Sequence, residues 1–402
     1  MAEKVVLAYS GGLDTSVAVK WIKEKYGMDI IAVTADVGAE KDLEAARQKA
    51  LKVGAIKAVV VDARETFVNE FVFPALQADA IYQGVYPLAT ALSRPLIARL
   101  LVEVARQEGA TAVAHGCTGK GNDQVRFDVV TAALGPDLAV IAPAREWGMT
   151  REETIAYARR SRIPVPVTVA SPYSVDINLW GRSIECGVLE DPWTAPPEDI
   201  YIWTVSPGDA PDKPQYVEIG FEKGLPVSLN RKRLGGVKLI EQLTRLAGAN
   251  GVGRIDHIED RLVGIKSREI YEAPAATVLF AAHKALEAMT LSREQMRFKQ
   301  NVAEEYASLI YNGLWFSSFH RDLRAYVQST QRYVTGTVRV RLFKGNCTVV
   351  GRKSPFSLYQ HKLATYDVGD QFDQSASPGF IQLYGLPVRV QSQVQPETKD
   401  IG

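Results

Sequence analysis

Residues 7–16, LAYSGGLDTS, decide the fold of the first part of the chain. An apolar run ends here in a turn of one serine and two glycines, and a helix-like stretch follows it. Glycine allows a positive φ and leaves no Cβ between a ligand and the backbone, while a helix start offers free N–H donors and a partial positive charge. The stretch therefore predicts a phosphate-binding turn, although an ordinary strand-to-helix turn uses the same residue types.

The carboxylate of Asp14 lies within this turn and would repel a bare phosphate. It therefore needs a cation, such as Mg²⁺ at the phosphates, or hydrogen bonds from the backbone of the first helical turn. The usual phosphate loop, GxxxxGK followed by Ser or Thr, is absent, and no GxGxxG follows a strand. The turn SGGLDTS instead resembles the SGGxDS pyrophosphate loop of the N-type ATP pyrophosphatases, which split ATP into AMP and pyrophosphate.

Five short apolar runs between residue 4 and about residue 144 predict a parallel sheet. They are rich in Val, Ile and Ala and alternate with helix-like stretches, as expected when helices cover both faces of a sheet. Right-handed crossovers then give a doubly wound sheet, for which we assume the strand order 3-2-1-4-5, with the first and fourth strands at the switch point. The five runs are VVLAY, IIAVTAD, KAVVVDA, ATAVAHG and LAVIAPA.

The rest of the chain predicts a second domain and a C-terminal arm. The 402 residues exceed the roughly 100 to 200 of a typical domain. Prolines in IPVPVTVASPYS mark a boundary, and the later sequence mixes helical stretches with the hairpin-like YVEIGFEKGLPVSLN, which is typical of α+β structure. We expect a nucleotide-binding domain over 1–165, an α+β domain over 166–360 that binds the other substrates, and an arm over 361–402.

The arm contains SPGFIQLYGLPVRVQSQ, in which Ser377 is a candidate helix N-cap and Pro378 the first helical residue. Gly385 and Pro387 would interrupt any single helix here. An apolar tail outside the main body needs a neighbour to cover it, so we interpret this segment as an oligomerisation arm.

Composition disfavours several classes of partner. Apolar residues make up 46% and charged residues 23% of the chain, and 47 Lys and Arg nearly balance 46 Asp and Glu, so no global field would hold a nucleic acid. Neither a secretory signal nor an apolar run of the roughly 18 residues that span a bilayer is present, so we expect a cytoplasmic protein without a membrane partner. Cys117, Cys186 and Cys347 lack the spacing of a disulfide framework or a zinc site.

Two further segments follow predicted strands, TADVG at 34–38 and HGCTGKGNDQVRFD at 115–128. An open α/β sheet binds its ligands at these carboxyl ends. Asn122 or Asp123 can cap the following helix, and Arg126 lies four residues beyond Asn122 on the same helical face. A guanidinium group there suits a carboxylate, and the alternative is a capped helix with Arg126 in solvent.

The segments YSGGLDTS, TADVG, GCTGKGNDQVRF, SPYSVDINLWGRSIECGVLEDPW and GRIDHIEDRLVGIKSREIYEAPA together resemble the argininosuccinate synthase family over nearly the whole chain. The resemblance implies an AMP-forming ligase of arginine biosynthesis or the urea cycle. Such an enzyme uses ATP, with Mg²⁺, to condense L-citrulline with L-aspartate through a citrullyl-adenylate, giving argininosuccinate, AMP and pyrophosphate. We expect a homotetramer, and the arm segment alone leaves a dimer open as the alternative.

The resemblance further implies the ligand contacts. ATP would contact Ala8, Tyr9, Ser10, Gly11, Gly12, Leu13, Asp14, Thr15, Ser16, Ala35 and Gly116. Aspartate would contact Thr118, Asn122 and Asp123. Citrulline would contact Tyr86, Asn122, Arg126, Ser174, Ser183, Glu259 and Tyr271, with Arg126 on its carboxylate and Glu259 on its amine. Neither a metal ligand nor a catalytic residue is implied, but Asp123 is a candidate to accept a proton from the amine of aspartate.

Taken singly, these residues have ordinary explanations. Tyr86 and Tyr271 suit packing, and Glu259 belongs to the charged run DHIEDR, which is typical of a solvated face. Ala91 also departs from the family, which often has Ser there; this removes a hydroxyl near citrulline, for which Thr90 offers a substitute.

Two other classes use a similar turn. A tRNA-thiolating enzyme would need a basic face and often a paired or catalytic cysteine. A nucleotide sensor without enzyme activity would not need two amino-acid sites.

Overall fold

The computed structural model describes residues 2–39, 42–164 and 172–395. They form two compact units, of which the first ends at Phe356 and the second begins at Ser357. Most of the proline-rich boundary predicted at 163–174 lies outside the described residues. Among the helices that are described, none combines the length and the apolar character needed to cross a bilayer.

The first unit contains a five-stranded parallel sheet with the order β3-β2-β1-β4-β5, which confirms the predicted doubly wound topology. The central strand β1 pairs with β2 on one side and β4 on the other, so the switch point lies at its carboxyl end, where the glycine turn follows. The strands are β1 (Lys4–Ala8), β2 (Asp29–Asp36), β3 (Lys57–Asp62), β4 (Ala112–Ala114) and β5 (Ala139–Ile141).

Helices cover both faces of this sheet, as the two-sided apolar strands predicted. The long helices in the described part of this region are α1 (Leu13–Tyr26), α2 (Leu43–Val53), α3 (Ala89–Glu108), α4 (Asp123–Leu134) and α5 (Arg151–Arg160), with short helical segments at Arg64–Thr66, Phe67–Val72, Phe73–Gln77 and Pro143–Glu146. Buried side chains of α1, α2 and α5 pack on one face, where Val5 and Leu7 point. Those of α3 and α4 pack on the other face, against Val6 and Ile31.

The later part of the first unit is α+β, as predicted. Its strands are β6 (Ser174–Asn178), β7 (Gly181–Glu185), β8 (Gln215–Glu222), β9 (Leu225–Leu229), β10 (Lys232–Arg233), β11 (Arg254–Asp260), β12 (Lys266–Glu272), β13 (Gly336–Phe343) and β14 (Asn346–Lys353). They form antiparallel sheets with the orders β11-β12-β7-β6 and β10-β9-β8-β13-β14. The predicted hairpin joins β8 and β9, and Gly224 takes the positive φ of 76° that its turn needs.

Four long helices accompany these sheets: α6 (Gly236–Gly248), α7 (Pro274–Thr290), α8 (Arg293–Tyr311) and α9 (Ser318–Thr330). Short 3₁₀ segments lie at Gly187–Glu190, Glu198–Ile200 and Gln331–Tyr333. Helix α8 begins with a capping box, in which the Ser292 hydroxyl accepts from the Gln295 N–H and the Gln295 side chain accepts from the Ser292 N–H. The last residue of this helix, Tyr311, contacts residues of the site described below.

The second unit, described to residue 395, holds α10 (Ser377–Tyr384) and α11 (Leu386–Val394) after short helical segments at His361–Ala364 and Gln374–Ala376. The predicted interruption at Gly385 is confirmed. The predicted cap is wrong by one residue, because Ala376 already has helical dihedrals and Ser377 is the first residue of α10. Phe380 and Leu383 leave 63% and 73% of their surface exposed, so this unit does not bury its own apolar side chains.

Candidate active site

A cavity of about 490 Å³ opens where the carboxyl ends of β1, β2 and β4 face the four-stranded antiparallel sheet. Every residue assigned to a ligand by the family resemblance lines it, except Gly11 and Ser16. Side chains alternate between the faces of a strand, and the register pairs Tyr271 and Asp176 with Ser183, so one face of this sheet presents polar groups to the cavity.

The glycine turn closes the floor of the cavity. Gly11 has a φ of 76°, and its carbonyl accepts a hydrogen bond from Lys49 Nζ at 2.7 Å. Ser16 is buried and its hydroxyl bonds to the Tyr9 hydroxyl at 3.0 Å. Gly11 and Ser16 therefore shape the turn from behind, while the residues between them face the cavity.

The start of α1 is open to a ligand. Gly12 is its N-cap residue and provides no side-chain cap, so the first-turn N–H groups stay available. The alternative in which Asp14 caps the helix is wrong, since that carboxylate makes no cap bond and lies open to the cavity. Surrounding protein atoms partly desolvate Asp14 and raise its pKa, and the charge of Arg151 opposes this shift.

Gly116 lets the loop after β4 approach the turn. A Cβ on Gly116 would lie 3.1 Å from Thr15 Cγ2. That separation is closer than ordinary carbon–carbon contact distances of about 3.5 to 4.0 Å. Glycine at this position therefore brings two ligand-binding loops together.

The predicted cap of α4 by Asn122 or Asp123 is wrong, because the helix start has no side-chain cap bond and both side chains bond to other residues. Asn122 Nδ2 donates to the Tyr311 hydroxyl at 2.7 Å, and its Oδ1 accepts from the Leu262 N–H at 2.9 Å. Asp123 accepts from Arg94 Nε at 2.7 Å and from Arg126 Nη1 at 2.8 Å. The start of α4 therefore ties the parallel sheet to the second sheet.

Asp123 is an anion held between two guanidinium groups. Burial raises the pKa of its carboxyl, but the charges and hydrogen bonds of Arg94 and Arg126 outweigh burial and lower that pKa to about 2. A carboxylate this acidic is a poor proton acceptor near neutral pH, because a general base works best with a pKa near the operating pH. It is well suited to attract an ammonium group.

Arg126 is buried, so the alternative of a solvated side chain is wrong. Its Nε donates to the Tyr311 carbonyl at 2.9 Å, and its guanidinium carbon lies 4.9 Å from the Tyr311 ring centroid. Its Nη2 is buried without a hydrogen-bond partner among the described residues. A buried donor without a partner is costly, and it points to a ligand acceptor such as a carboxylate.

Glu259 is also buried, with 3% of its surface exposed, so the solvated-face interpretation of its charged run is wrong. One carboxylate oxygen accepts from the Tyr271 hydroxyl at 2.6 Å and the other from the Tyr311 hydroxyl at 2.8 Å. Within the described chain no cationic side chain forms a salt bridge with it. A buried carboxylate without a cation favours a cationic ligand.

Tyr86 both packs and lines the cavity. Its ring stacks on that of Tyr271 with centroids 4.3 Å apart, and its hydroxyl lies 2.8 Å from the Thr90 hydroxyl. Thr90 lines the cavity, whereas Ala91 is fully buried behind it. The serine-to-alanine departure therefore changes packing behind the cavity wall, and Thr90 presents a hydroxyl to the cavity.

Sequence reasoning missed several cavity residues. Asp176 lies two positions after Ser174, and Glu185 lies two positions after Ser183. Because residues two apart on a strand share a face, the sequence could have predicted both as cavity residues. Arg94 had no local signal: it bridges Asp123 and Asp176 from α3. The other missed lining residues with acidic or guanidinium side chains are Arg261 and Glu269. Tyr311 was also missed; its hydroxyl donates to Glu259, which lines the cavity.

Glu185 and Glu269 share the guanidinium of Arg261. Arg261 Nη2 donates to Glu185 at 2.5 Å and to Glu269 at 2.8 Å. Burial, and then the charge of Glu185, raise the pKa of Glu269 to about 9. The raised pKa favours the protonated form of the Glu269 carboxyl near neutral pH. The nearby Cys117 is no thiolate nucleophile, because burial raises its pKa to about 12.

A parallel sheet with an open glycine turn at its switch point is typical of a nucleotide-binding enzyme. The buried Arg126 and Glu259 beside the turn suit the carboxylate and the ammonium of an amino acid, so the fold and the site together define a nucleotide-dependent enzyme that acts on an amino acid. Residues 4–164 match the N-terminal HUP domain of arginosuccinate synthase, and residues 173–391 match the C-terminal domain. The chain belongs to the argininosuccinate synthase family and is a ligase with that activity, as the sequence predicted.

Relatives match over nearly the whole length. Argininosuccinate synthase of Dehalococcoides mccartyi is 61% identical over 396 residues, covering 98% of each chain. Those of Gloeobacter violaceus and Symbiobacterium thermophilum are 61% and 60% identical, covering 98% of this chain and 99% and 98% of theirs. Among solved structures, the U34-tRNA thiolase NcsA of Methanococcus maripaludis aligns over 41% of this chain and 60% of its own at 18% identity and a TM-score of 0.26, which is too low to bear on function.

Proposed function

We propose that the cavity binds ATP, L-citrulline and L-aspartate together, and that the chain joins the two amino acids through a citrullyl-adenylate. One observation carries this proposal: among the described residues, a buried arginine nitrogen has no hydrogen-bond partner and a buried carboxylate has no salt bridge, and both side chains line the same cavity as an open glycine turn. The first two groups complement an amino-acid zwitterion, and the turn complements a chain of phosphates.

ATP lies on the turn in this proposal. The N–H groups of the first turn of α1, with the hydroxyls of Ser10 and Thr15, face the phosphates. Ala35, at the end of β2, and Gly116 border the nucleoside. Donors fixed in this way stabilise charge that builds on departing pyrophosphate without having to reorganise.

Citrulline lies across the polar face of the antiparallel sheet. Arg126 Nη2 takes its carboxylate and Glu259 its α-ammonium, while Tyr86, Ser174, Ser183 and Tyr271 line the remaining wall. Leaving one member of a buried charge pair unpaired costs about 2 to 5 kcal/mol, so both groups contribute strongly to binding. Aspartate lies against Thr118 and Asn122, and its ammonium faces the anionic Asp123.

The chemistry follows from the poor reactivity of a ureido carbon, which its nitrogens stabilise. The ureido oxygen attacks the α-phosphorus of ATP, the bond from that phosphorus to the bridging oxygen breaks, and pyrophosphate leaves. The amine of aspartate, after losing a proton, attacks the ureido carbon, and the carbon–oxygen bond breaks to release AMP. Positioning and charge stabilisation dominate such a sequence. Asp123 contributes by holding the ammonium rather than as the base.

Asp14 fits the role of a magnesium ligand. Mg²⁺ at ATP is commonly held by one or two carboxylates together with phosphate oxygens. The Asp14 carboxylate lines the cavity beside the turn and has no salt bridge within the described chain. When bound, Mg²⁺ neutralises charge on the phosphates.

Isotope transfer tests the proposed reaction. Citrulline labelled with ¹⁸O at the ureido oxygen should deliver the label to AMP, and only when all three substrates are present. Formation of ADP, or label retained in the amino-acid product, would contradict the proposal. Arg126→Ala should abolish turnover while nucleotide binding persists. If the chain were instead a nucleotide sensor without an amino-acid site, the variant and the native chain would behave alike in both assays.

A homotetramer in the cytoplasm is also proposed, and the second unit supports the assembly. This unit exposes a group of large apolar side chains, whose burial against another subunit would be favourable. They include Phe380, Ile381, Leu383 and Tyr384. Light scattering on the full chain should give four subunits, and a chain that ends at Phe356 should give fewer. A monomeric full chain would contradict the proposed assembly.

A further inference from the structure

Tyr311, the last residue of α8, contacts three of the residues proposed to bind amino acids. Its hydroxyl donates to Glu259 at 2.8 Å and accepts from Asn122 at 2.7 Å. Its carbonyl accepts from Arg126 Nε at 2.9 Å, and its ring lies beneath the Arg126 guanidinium. One residue therefore touches both the cation and the carboxylate that would hold a zwitterion.

The hydrogen bonds of this phenol are fully assigned. A phenol has one hydrogen and can accept through its lone pairs, so it can donate to Glu259 while it accepts from the Asn122 amide. Burial, and then the charge of Glu259, raise the pKa of Tyr311 far above its ordinary value, so the hydroxyl keeps its hydrogen. Glu259 thereby receives one phenolic donor on each oxygen, from Tyr311 and Tyr271.

Neighbouring aromatic rings and a glycine fix Tyr311 in place. Its ring stacks on Tyr82 with centroids 3.7 Å apart and an interplanar angle of 6°, and meets Tyr86 edge-on at 6.5 Å. Gly313, with a φ of 76°, turns the chain away directly afterwards; a Cβ there would lie 2.8 Å from the Cα of Arg126. The end of α8 is thus seated against α4.

We propose that Tyr311 is a positioning residue that sets the spacing between Arg126 and Glu259, and that it thereby selects a substrate bearing an ammonium and a carboxylate on one carbon. This inference rests on the proposed function. Without the phenolic hydroxyl, Glu259 loses one of the two phenolic donors that orient its carboxyl group, and Asn122 loses an acceptor. The amine end of the amino-acid site then loosens, while the phosphate site at β1 is untouched.

Tyr311→Phe tests the role of the hydroxyl, because it keeps the ring stack, the cation–π contact and the carbonyl. Hydrogen bonds to charged groups contribute about 1.5 to 3 kcal/mol. We therefore expect the KM for citrulline to rise about ten- to hundred-fold, with kcat and the KM for ATP changing less than about three-fold. An unchanged KM for citrulline, or equal losses for all substrates, would overturn the role of Tyr311.

Tyr306→Phe is the matched control. Tyr306 lies on the same helix, is fully buried, and its hydroxyl has no partner among the described residues. Its loss should leave the citrulline KM unchanged. Thermal unfolding of both variants separates a folding defect from a positioning effect.

A citrulline analogue without the α-amine, 5-ureidopentanoate, provides the readout that a merely structural role would not change. The native chain should prefer citrulline strongly, and Tyr311→Phe should narrow that preference at least ten-fold, because the amine loses its oriented partner. An unaltered preference would overturn the inference while leaving the proposed function standing. A native chain that fails to turn over citrulline at all would instead overturn the proposed function.

Discussion

Arg94 Nε lies 2.7 Å from Asp123 Oδ2, so an arginine on α3 holds the carboxylate proposed to face the ammonium of aspartate. Arg94 is therefore expected to govern both the position and the ionisation of Asp123. Arg94→Gln should raise the KM for aspartate about ten-fold or more. The physical reason is that Asp123 loses one of the two charges that hold it and keep its pKa near 2.

The pH profile checks this explanation. Arg94 lowers the pKa of Asp123, so its removal moves that pKa upward, and activity at low aspartate should be lost at a higher pH in the variant as the medium is acidified. Arg106→Gln is the control, because Arg106 lies on the same helix but pairs with Asp137 outside the cavity. An acid limb at the same pH in all three proteins would contradict the role of Arg94.

A buried charge cluster outside the cavity lining, which links α7, α8 and Asp79, predicts a strong effect on stability. Lys299 Nζ lies 2.5 Å from Asp79 and 3.0 Å from Glu287, and His283 bonds to Asp79 at 2.9 Å. The side chains of Asp79, His283 and Glu287 are close enough together to hold a metal ion. The ammonium group of Lys299, however, already forms salt bridges with both carboxylates. Lys299→Met would leave two buried carboxylates short of a cation, which costs about 3 to 5 kcal/mol.

Denaturant unfolding followed by tryptophan fluorescence measures that loss. Lys266→Met is the comparison: Lys266 pairs with Asp260 on the surface, where an ion pair contributes at most about 1 kcal/mol. If Lys299→Met and Lys266→Met lowered the free energy of unfolding equally, the buried cluster would not stabilise the fold more than a surface ion pair does.

The parallel sheet was predictable because its determinants are local. Apolar runs such as VVLAY carry their own strand signal, and the handedness of crossovers restricts how such strands can be ordered. The turn at Gly11 was predictable for the same reason, since backbone conformation there follows from two adjacent residues.

The inner wall of the site was less predictable because its contacts are distant in sequence. Asn122 was expected to cap α4, yet its partners are Leu262 and Tyr311, which belong to another part of the chain. Glu259 looked solvated because its own segment is charged, yet it is buried, and its carboxylate accepts from Tyr271 of β12 and Tyr311 of α8. Spacing along the chain carries no information about such meetings.

The raised pKa of Glu269 predicts a pH-dependent stability. Its carboxyl keeps a proton up to about pH 9 in the folded chain, whereas an unfolded glutamate loses it near 4.5. The folded state therefore binds more protons between these values, and its stability falls as pH rises through that window. The melting temperature of Glu269→Gln should equal that of the native chain near pH 5 and should be higher than that of the native chain near pH 9.

The exposed Glu241 of α6 is the control for this change of residue type. Glu241→Gln should leave the difference between the melting temperatures at pH 5 and pH 9 as it is in the native chain. If Glu269→Gln also left that difference unchanged, Glu269 would not retain the proton assigned to it.

Gly116→Ala tests the close approach of the two nucleotide loops. The added Cβ would lie 3.1 Å from Thr15 Cγ2, so Thr15 must move by a few tenths of an ångström and disturb the first turn of α1. We expect the KM for ATP to rise about three- to ten-fold, because the N–H groups of that turn no longer point toward the phosphates. The KM for citrulline should change little. Gly208→Ala is the matched control, since the nearest described atom to its added Cβ is Ser206 Oγ at 3.7 Å, an ordinary contact distance. A larger effect on citrulline than on ATP would mean that the loop after β4 serves the amino-acid site instead.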